Sequence, residues 1–259
     1  MCRFLAYSGE PVFLDTLLIE PASSLVSQSF AAREAKTVVN GDGCGLGWYG
    51  ARPEPGCYRG TLPAWSDANL ASLCHQVSAP MFLAHVRSAT SGEVSVANCH
   101  PFAAGRHLFM HNGQIGGYDR VRRSIEAMIP DNLYARRRGN GDSEAIFLAA
   151  LGQGLDAEPV PALARTLANC LHIMQASGIE QALRFTAVLA DGQTLRAFRW
   201  ASDERPPSLY WRRLQSGIAI ASEPFGDTGD TWQTIPPGCV MTAGRDNMVF
   251  SDFVVARPA

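Results

Sequence analysis

Apolar residues change their spacing twice along this chain, and that change limits the folds open to it. From Tyr118 to Ser177 they recur at helical intervals: Val121, Ile125 and Met128 in one stretch, Leu163, Leu167, Leu171 and Met174 in another. The spacing predicts helices over 118–128, 142–151 and 161–177, with Gly178 stopping the last. Beyond Leu183 the pattern becomes that of strands, and Asp191-Gly192 between 184–190 and 194–200 is a tight-hairpin signal. Further strands are expected at 209–212, 217–221, 240–242 and 248–250. Before the helical middle, strands are expected at 2–7, 45–49, 81–87 and 107–111. Short helical pieces fall near 14–19 and 23–29, and a helix begins at Ser66-Asp67 with Leu70, Leu73 and Val77 on one face. Strands on both sides of a helical centre predict an α+β architecture in layers, not a βαβ alternation. With no internal repeat or low-complexity linker among 259 residues, one domain over 1–259 is expected.

Charge excludes some partners. The formal net charge of −2 gives no reason to expect nucleic acid or an anionic membrane surface. Arginines do gather at 120, 122 and 123 and again at 136–138, and are read as solvated helix faces and a loop. No stretch reaches membrane-spanning length and no apolar leader precedes a cleavage site. The seven cysteines are odd in number and widely spread, with no C-x-x-C pair. A reduced cytoplasmic protein with packed thiols is expected, with neither a metal nor a cofactor.

The chemistry gathers in a few short segments. The chain opens MCRFLAY, so that removal of Met1 would leave Cys2 carrying both a thiol and a free α-amine. The stretch NGDGCGLGWYG fails as a nucleotide-binding loop, because Leu46 and Trp48 stand where the last glycine of G-x-G-x-x-G belongs. It is read instead as a tight loop feeding a strand. Three segments place polar side chains between apolar ones: AHVRSATSG (84–92), FMHNGQ (109–114) and GNGDSE (139–144). With Cys2 they supply what an amide-cleaving cysteine enzyme requires. Cys2 is the nucleophile and its amine the base, Asn112 and Gly113 are oxyanion donors, and Arg87 and Asp142 anchor the substrate.

Taken in order, Cys2, NGDGCGLGWY, AHVRSATSG, NCHPF, HNG and GDSE resemble the class II glutamine amidotransferases, members of the N-terminal-nucleophile hydrolases. The resemblance covers residues 2 to about 151 and continues more weakly through IASEPF and IPPGCV. It implies a four-layer αββα sandwich, two antiparallel sheets between helical layers. It also implies hydrolysis of a γ-glutamyl amide, in glutamine or a γ-glutamyl compound such as glutathione, through a Cys2 thioester that releases glutamate. Asn112 (side chain) and Gly113 (backbone N–H) would hold the oxyanion, Arg87 the α-carboxylate and Asp142 the α-ammonium. Arg suits a planar carboxylate and Asp an ammonium, which agrees with those roles.

Arg3-Phe4 departs from the usual Gly-Ile after the cysteine. It resembles a smaller standalone subgroup, which includes a fungal glutathione-degradation subunit and an ergothioneine-pathway γ-glutamyl hydrolase. A peptidase-like partner suits the first of these. An ammonia-supplying glutaminase with a synthase partner is the enzymatic alternative. A dead regulatory subunit is the non-enzymatic one, and the presence of all five key residues argues against it. His85, His100 and His111 are expected to order loops through hydrogen bonds.

Overall fold

The computed structural model describes residues 2–34, 38–89, 93–227, 231–244 and 247–258. The expected removal of Met1 and the end of the AHVRSATSG segment lie outside them. The N-terminal half runs β1 (Arg3–Phe13), α1 (Asp15–Leu18), α2 (Leu25–Phe30), β2 (Cys44–Tyr49), β3 (Gly56–Gly60), α3 (Ala68–Gln76), β4 (Ser78–Val86), β5 (Phe102–Ala104) and β6 (His107–Gln114). The helical middle comprises α4 (Tyr118–Glu126), α5 (Asp131–Tyr134), α6 (Asp142–Gly152) and α7 (Pro159–Ala176). Strands then return as β7 (Arg184–Ala190), β8 (Leu195–Ala201), β9 (Tyr210–Arg213), β10 (Gly217–Ala221), β11 (Gln233–Thr234), β12 (Cys239–Ala243) and β13 (Met248–Asp252).

The strands form two sheets, of order β11-β9-β10-β1-β4-β2-β3 and β13-β12-β8-β7-β6-β5, with antiparallel pairings throughout. Alternation along each strand sets the layers. In β1, Phe4 and Ala6 face the gap between the sheets, where they meet Leu108, Met110 and Val188 of the second sheet. Their neighbours Leu5 and Tyr7 face outward and pack with Leu17, Leu25, Leu70 and Cys74 of α1 to α3. On the far side, Phe109, Phe185 and Phe198 pack against α4, α6 and α7 through Ile125, Ile146, Phe147 and Leu163. Helices, sheet, sheet, helices is the four-layer αββα order. No helix among the described residues is long and apolar enough to cross a membrane.

The Asp191-Gly192 hairpin forms as expected. The Asp191 carboxylate accepts the N–H groups of Gln193 (2.9 Å) and Thr194 (2.7 Å), and Gly192 takes a φ of 87°.

Several expectations change. β1 extends to Phe13 because an irregularity between Ser8 and Val12 lets the strand pass Gly9 and Pro11 and resume pairing with β4. On α3 the buried positions are Leu70 and Cys74, four apart, and Leu73 and Val77 are only half-buried. β3 and β5 are short edge strands whose glycine, arginine and alanine content carries little strand signal. Cys57 is exposed on β3, not packed.

The arginine run at 136–138 is only partly solvated. The Arg137 side chain is 5% exposed and forms ion pairs with Glu126 (2.9 Å) and Glu144 (2.7 Å). The turn after α5 points the middle arginine inward, toward two carboxylates that the sequence separates by 18 positions.

Candidate active site

Cys2 directly precedes β1 and has the in-facing parity of Phe4 and Ala6, at the end of the sandwich where β6 and α6 meet. Its thiol lies against the backbone of Ser88, whose N–H donates to Sγ at 3.4 Å. Burial pushes the thiol up from its ordinary pKa, and the Ser88 N–H works against that shift. A buried thiol needs a nearby base to become a nucleophile.

Asn112 and Gly113 come from β6. Asn112 shares the in-facing parity of Leu108 and Met110, and its amide Nδ2 donates to the Cys2 carbonyl at 2.9 Å. Pairing of β5 with β6 stops at Phe109, so from Met110 onward β7 is the only strand beside β6 among the described residues. That open edge borders the cleft. At Gly113 a Cβ would collide with the Arg184 carbonyl of β7 and crowd the His111 ring, so the position requires glycine.

Arg87 follows β4 and is buried. Its Nη1 donates to the Glu93 carbonyl at 3.0 Å. The glycine-rich stretch braces this segment. Asp42 N–H donates to the Arg87 carbonyl (3.0 Å), Arg87 N–H to the Gly43 carbonyl (2.8 Å), and Ala89 N–H to the Asp42 carboxylate (2.8 Å). NGDG thus serves as a buttress for the arginine.

Asp142 opens α6. Its Oδ2 accepts the Ile115 N–H at 2.7 Å, which fixes the carboxylate beside the end of β6. Cys2, Arg87, Asn112, Gly113 and Asp142 all line one cleft of about 110 Å³. Ser88, Asn98, His100, Ser143 and Arg184 complete most of its wall.

The three histidines divide. His111 fits the expectation: Nε2–H donates to the Arg184 carbonyl (3.2 Å), leaving Nδ1 to accept the Ser143 hydroxyl (2.9 Å). It ties β6 to the first turn of α6. His85 and His100 do not. Their rings lie tilted at 44° to each other with centroids 4.2 Å apart, and none of their nitrogens has a hydrogen-bond partner among the described residues. Burial pushes His85 down to about 3 and His100 well below the ordinary histidine value, so both are neutral near pH 7. A ring held this weakly basic is a poor acceptor for the proton of the raised thiol.

Sequence reasoning missed Asn98, which stands inside NCHPF. Its Nδ2 donates to the Glu93 carbonyl (3.0 Å) and to Asn140 Oδ1 (2.7 Å). Its Oδ1 accepts the N–H groups of Asn140 (2.9 Å) and Gly141 (3.3 Å). One amide therefore joins the turn that holds Arg87 to the loop that delivers Asp142. Among the described residues no group of three or more His, Cys, Asp or Glu side chains could hold a metal ion.

The family described as "Glutamine amidotransferases class-II" matches residues 1–205. The chain is 28% identical to the "Probable glutamine amidotransferase DUG3" of Saccharomyces cerevisiae, over 98% of its own length and 85% of that protein's. It is 30% identical to the "Gamma-glutamyl-hercynylcysteine sulfoxide hydrolase" of Mycolicibacterium smegmatis, over 91% and 92% of the two chains. A solved class-II glutamine aminotransferase domain protein from Silicibacter pomeroyi superposes with a TM-score of 0.78 at 37% identity, covering 99% of this chain and all of that one. The two antiparallel sheets between helical layers and the extent of these matches agree, and the chain belongs to the class II glutamine amidotransferases.

Proposed function

We propose that the chain is a γ-glutamyl amidohydrolase in which Cys2, after removal of Met1, attacks the γ-carbonyl of glutamine or a γ-glutamyl compound. The observation that carries this reading is the convergence of Cys2, Arg87, Asn112, Gly113 and Asp142, drawn from distant parts of the sequence, on one cleft.

In this reading the Cys2 α-amine takes the thiol proton as sulfur bonds to the carbonyl carbon. Asn112 Nδ2 and the Gly113 N–H stabilise the oxyanion of the tetrahedral intermediate. Collapse breaks the C–N bond, and the leaving amine departs with the proton returned by the ammonium. Water, deprotonated by the same amine, then cleaves the thioester to give glutamate and the free thiol. Arg87 grips the α-carboxylate and Asp142 the α-ammonium, so the glutamyl head is read by charge at both ends. The weak basicity of His85 and His100 supports the amine as base. A terminal amine, with a pKa of about 7.7–8.0, is roughly a fifth to a third neutral at pH 7.4.

Residues 1–259 form one amidotransferase domain acting in the cytoplasm, on a leaving group larger than ammonia. The relative named for a γ-glutamyl sulfoxide supports the larger leaving group. A peptidase-like partner suits that role. Measuring glutamate released from glutamine, glutathione and other γ-glutamyl peptides tests it. A higher kcat/KM for at least one peptide or thiol is expected. Glutamine as best substrate, with hydrolysis stimulated by a synthase, would favour ammonia supply instead.

A further inference from the structure

A second cavity, of about 230 Å³, lies at the edge of the sandwich where β3, β5 and α6 meet, and Arg59, Arg136 and Arg138 line it. Its floor is apolar, with Phe102, Phe147 and Leu148. Phe102 also lines the glutamyl cleft, so the two spaces share a wall.

The charges around this cavity do not balance. Glu144, its one carboxylate, is already engaged by Arg137 Nη1 (2.7 Å) and by the N–H groups of Arg138 (3.2 Å) and Gly139 (2.8 Å). Glu126, nearby, takes up Arg122 and the rest of Arg137. Among the described residues no acidic side chain forms an ion pair with Arg59, Arg136 or Arg138. Three like charges around one concave space repel each other, and apolar walls concentrate their field. In a chain of net charge −2 this is a local feature, not the spill-over of a basic protein. Guanidinium forks match carboxylate and phosphate oxygens.

We propose that Arg59, Arg136 and Arg138 form a second binding site, for a small polyanion bearing carboxylate or phosphate groups, beside the glutamyl cleft and separate from it. Two sources fit that chemistry: an acid group on the leaving portion of the substrate, or a free anion. The first rests on the proposed hydrolase function; the second does not. Arg138 stands four residues before Asp142, at the start of the loop that Asn98 holds through Asn140 and Gly141.

The test is calorimetric titration of the full chain with inorganic pyrophosphate, alongside kinetics on a γ-glutamyl dipeptide with a free or an amidated C-terminus. Saturable binding is expected, weakening at higher salt and falling about tenfold for each arginine lost, in Arg59→Gln and in Arg136→Gln with Arg138→Gln. If the anion belongs to the substrate, pyrophosphate competes with the free-acid dipeptide, and the double variant loses its preference over the amide while hydrolysing glutamine normally. If the anion is free, pyrophosphate binds equally well in the presence of saturating dipeptide. No saturable binding, or binding that the variants leave unchanged, overturns the site. A wild-type protein that hydrolyses none of these substrates would overturn the proposed function while the titration still decides the site.

Discussion

Arg87 and Asn98 donate to the same acceptor, the Glu93 carbonyl, each at 3.0 Å. Because Asn98 also accepts from Gly141 N–H, the residue before Asp142, one buried amide links the two proposed substrate anchors. Asn98→Ala should therefore raise KM for glutamine more than it lowers kcat. Loss of its buried hydrogen bonds is expected to cost about 1–3 kcal/mol, or roughly 5- to 150-fold in kcat/KM. Steady-state kinetics beside a melting curve checks this, and a stable variant with unchanged KM would dissociate Asn98 from the anchors.

The anchors themselves should behave as charged, oriented contacts. Arg87→Lys keeps the charge and loses the fork; Asp142→Asn keeps the shape and loses the charge. Each is expected to lower kcat/KM by about 30- to 1000-fold. Wild-type kinetics in both would remove Arg87 and Asp142 from substrate binding.

Much of this site was legible because its chemistry sits in short segments. HNG delivers an in-facing Asn112 and a glycine that no other residue can replace beside Arg184, and GDSE puts Asp142 at a helix start. What stayed hidden depends on distance in space. Asn98 is one polar residue in NCHPF until the fold brings it to Glu93 and Gly141. His85 and His100 are 15 positions apart, and only the fold brings their rings together. Arg137 looks like its solvated neighbours until Glu126 and Glu144 surround it. Among the elements, the long amphipathic helices and the Asp191-Gly192 hairpin declared themselves by periodicity. The edge strands β3 and β5 take their structure from their partners.

The His85–His100 pair predicts an acid-sensitive core. The folded state holds His85 near 3, against about 6.5 when unfolded, so between these values the unfolded chain binds more protons and stability rises with pH. The stabilisation is complete above about pH 6.5 and is lost progressively as pH falls toward 3. At pH 5 the penalty from one such histidine is about 2 kcal/mol. His85→Phe should flatten the dependence of Tm on pH between 6.5 and 5. An unchanged slope would show that this ring does not carry the effect.

Gly113→Ala should be severe for its size. The new methyl meets the Arg184 carbonyl, so β6 must move away from β7 and take Asn112 with it. A loss of about 1–3 kcal/mol in stability is expected, with near-complete loss of turnover. Normal turnover at normal stability would refute the tight fit.

In the proposed mechanism Cys2 acts through its own α-amine. An electrophilic glutamine analogue should label intact protein once, at Cys2, when mass spectrometry shows Met1 removed. Neither labelling nor glutamine hydrolysis is expected from protein that retains Met1 or carries Cys2→Ala. Full hydrolytic activity in protein whose measured mass includes Met1 would contradict the account.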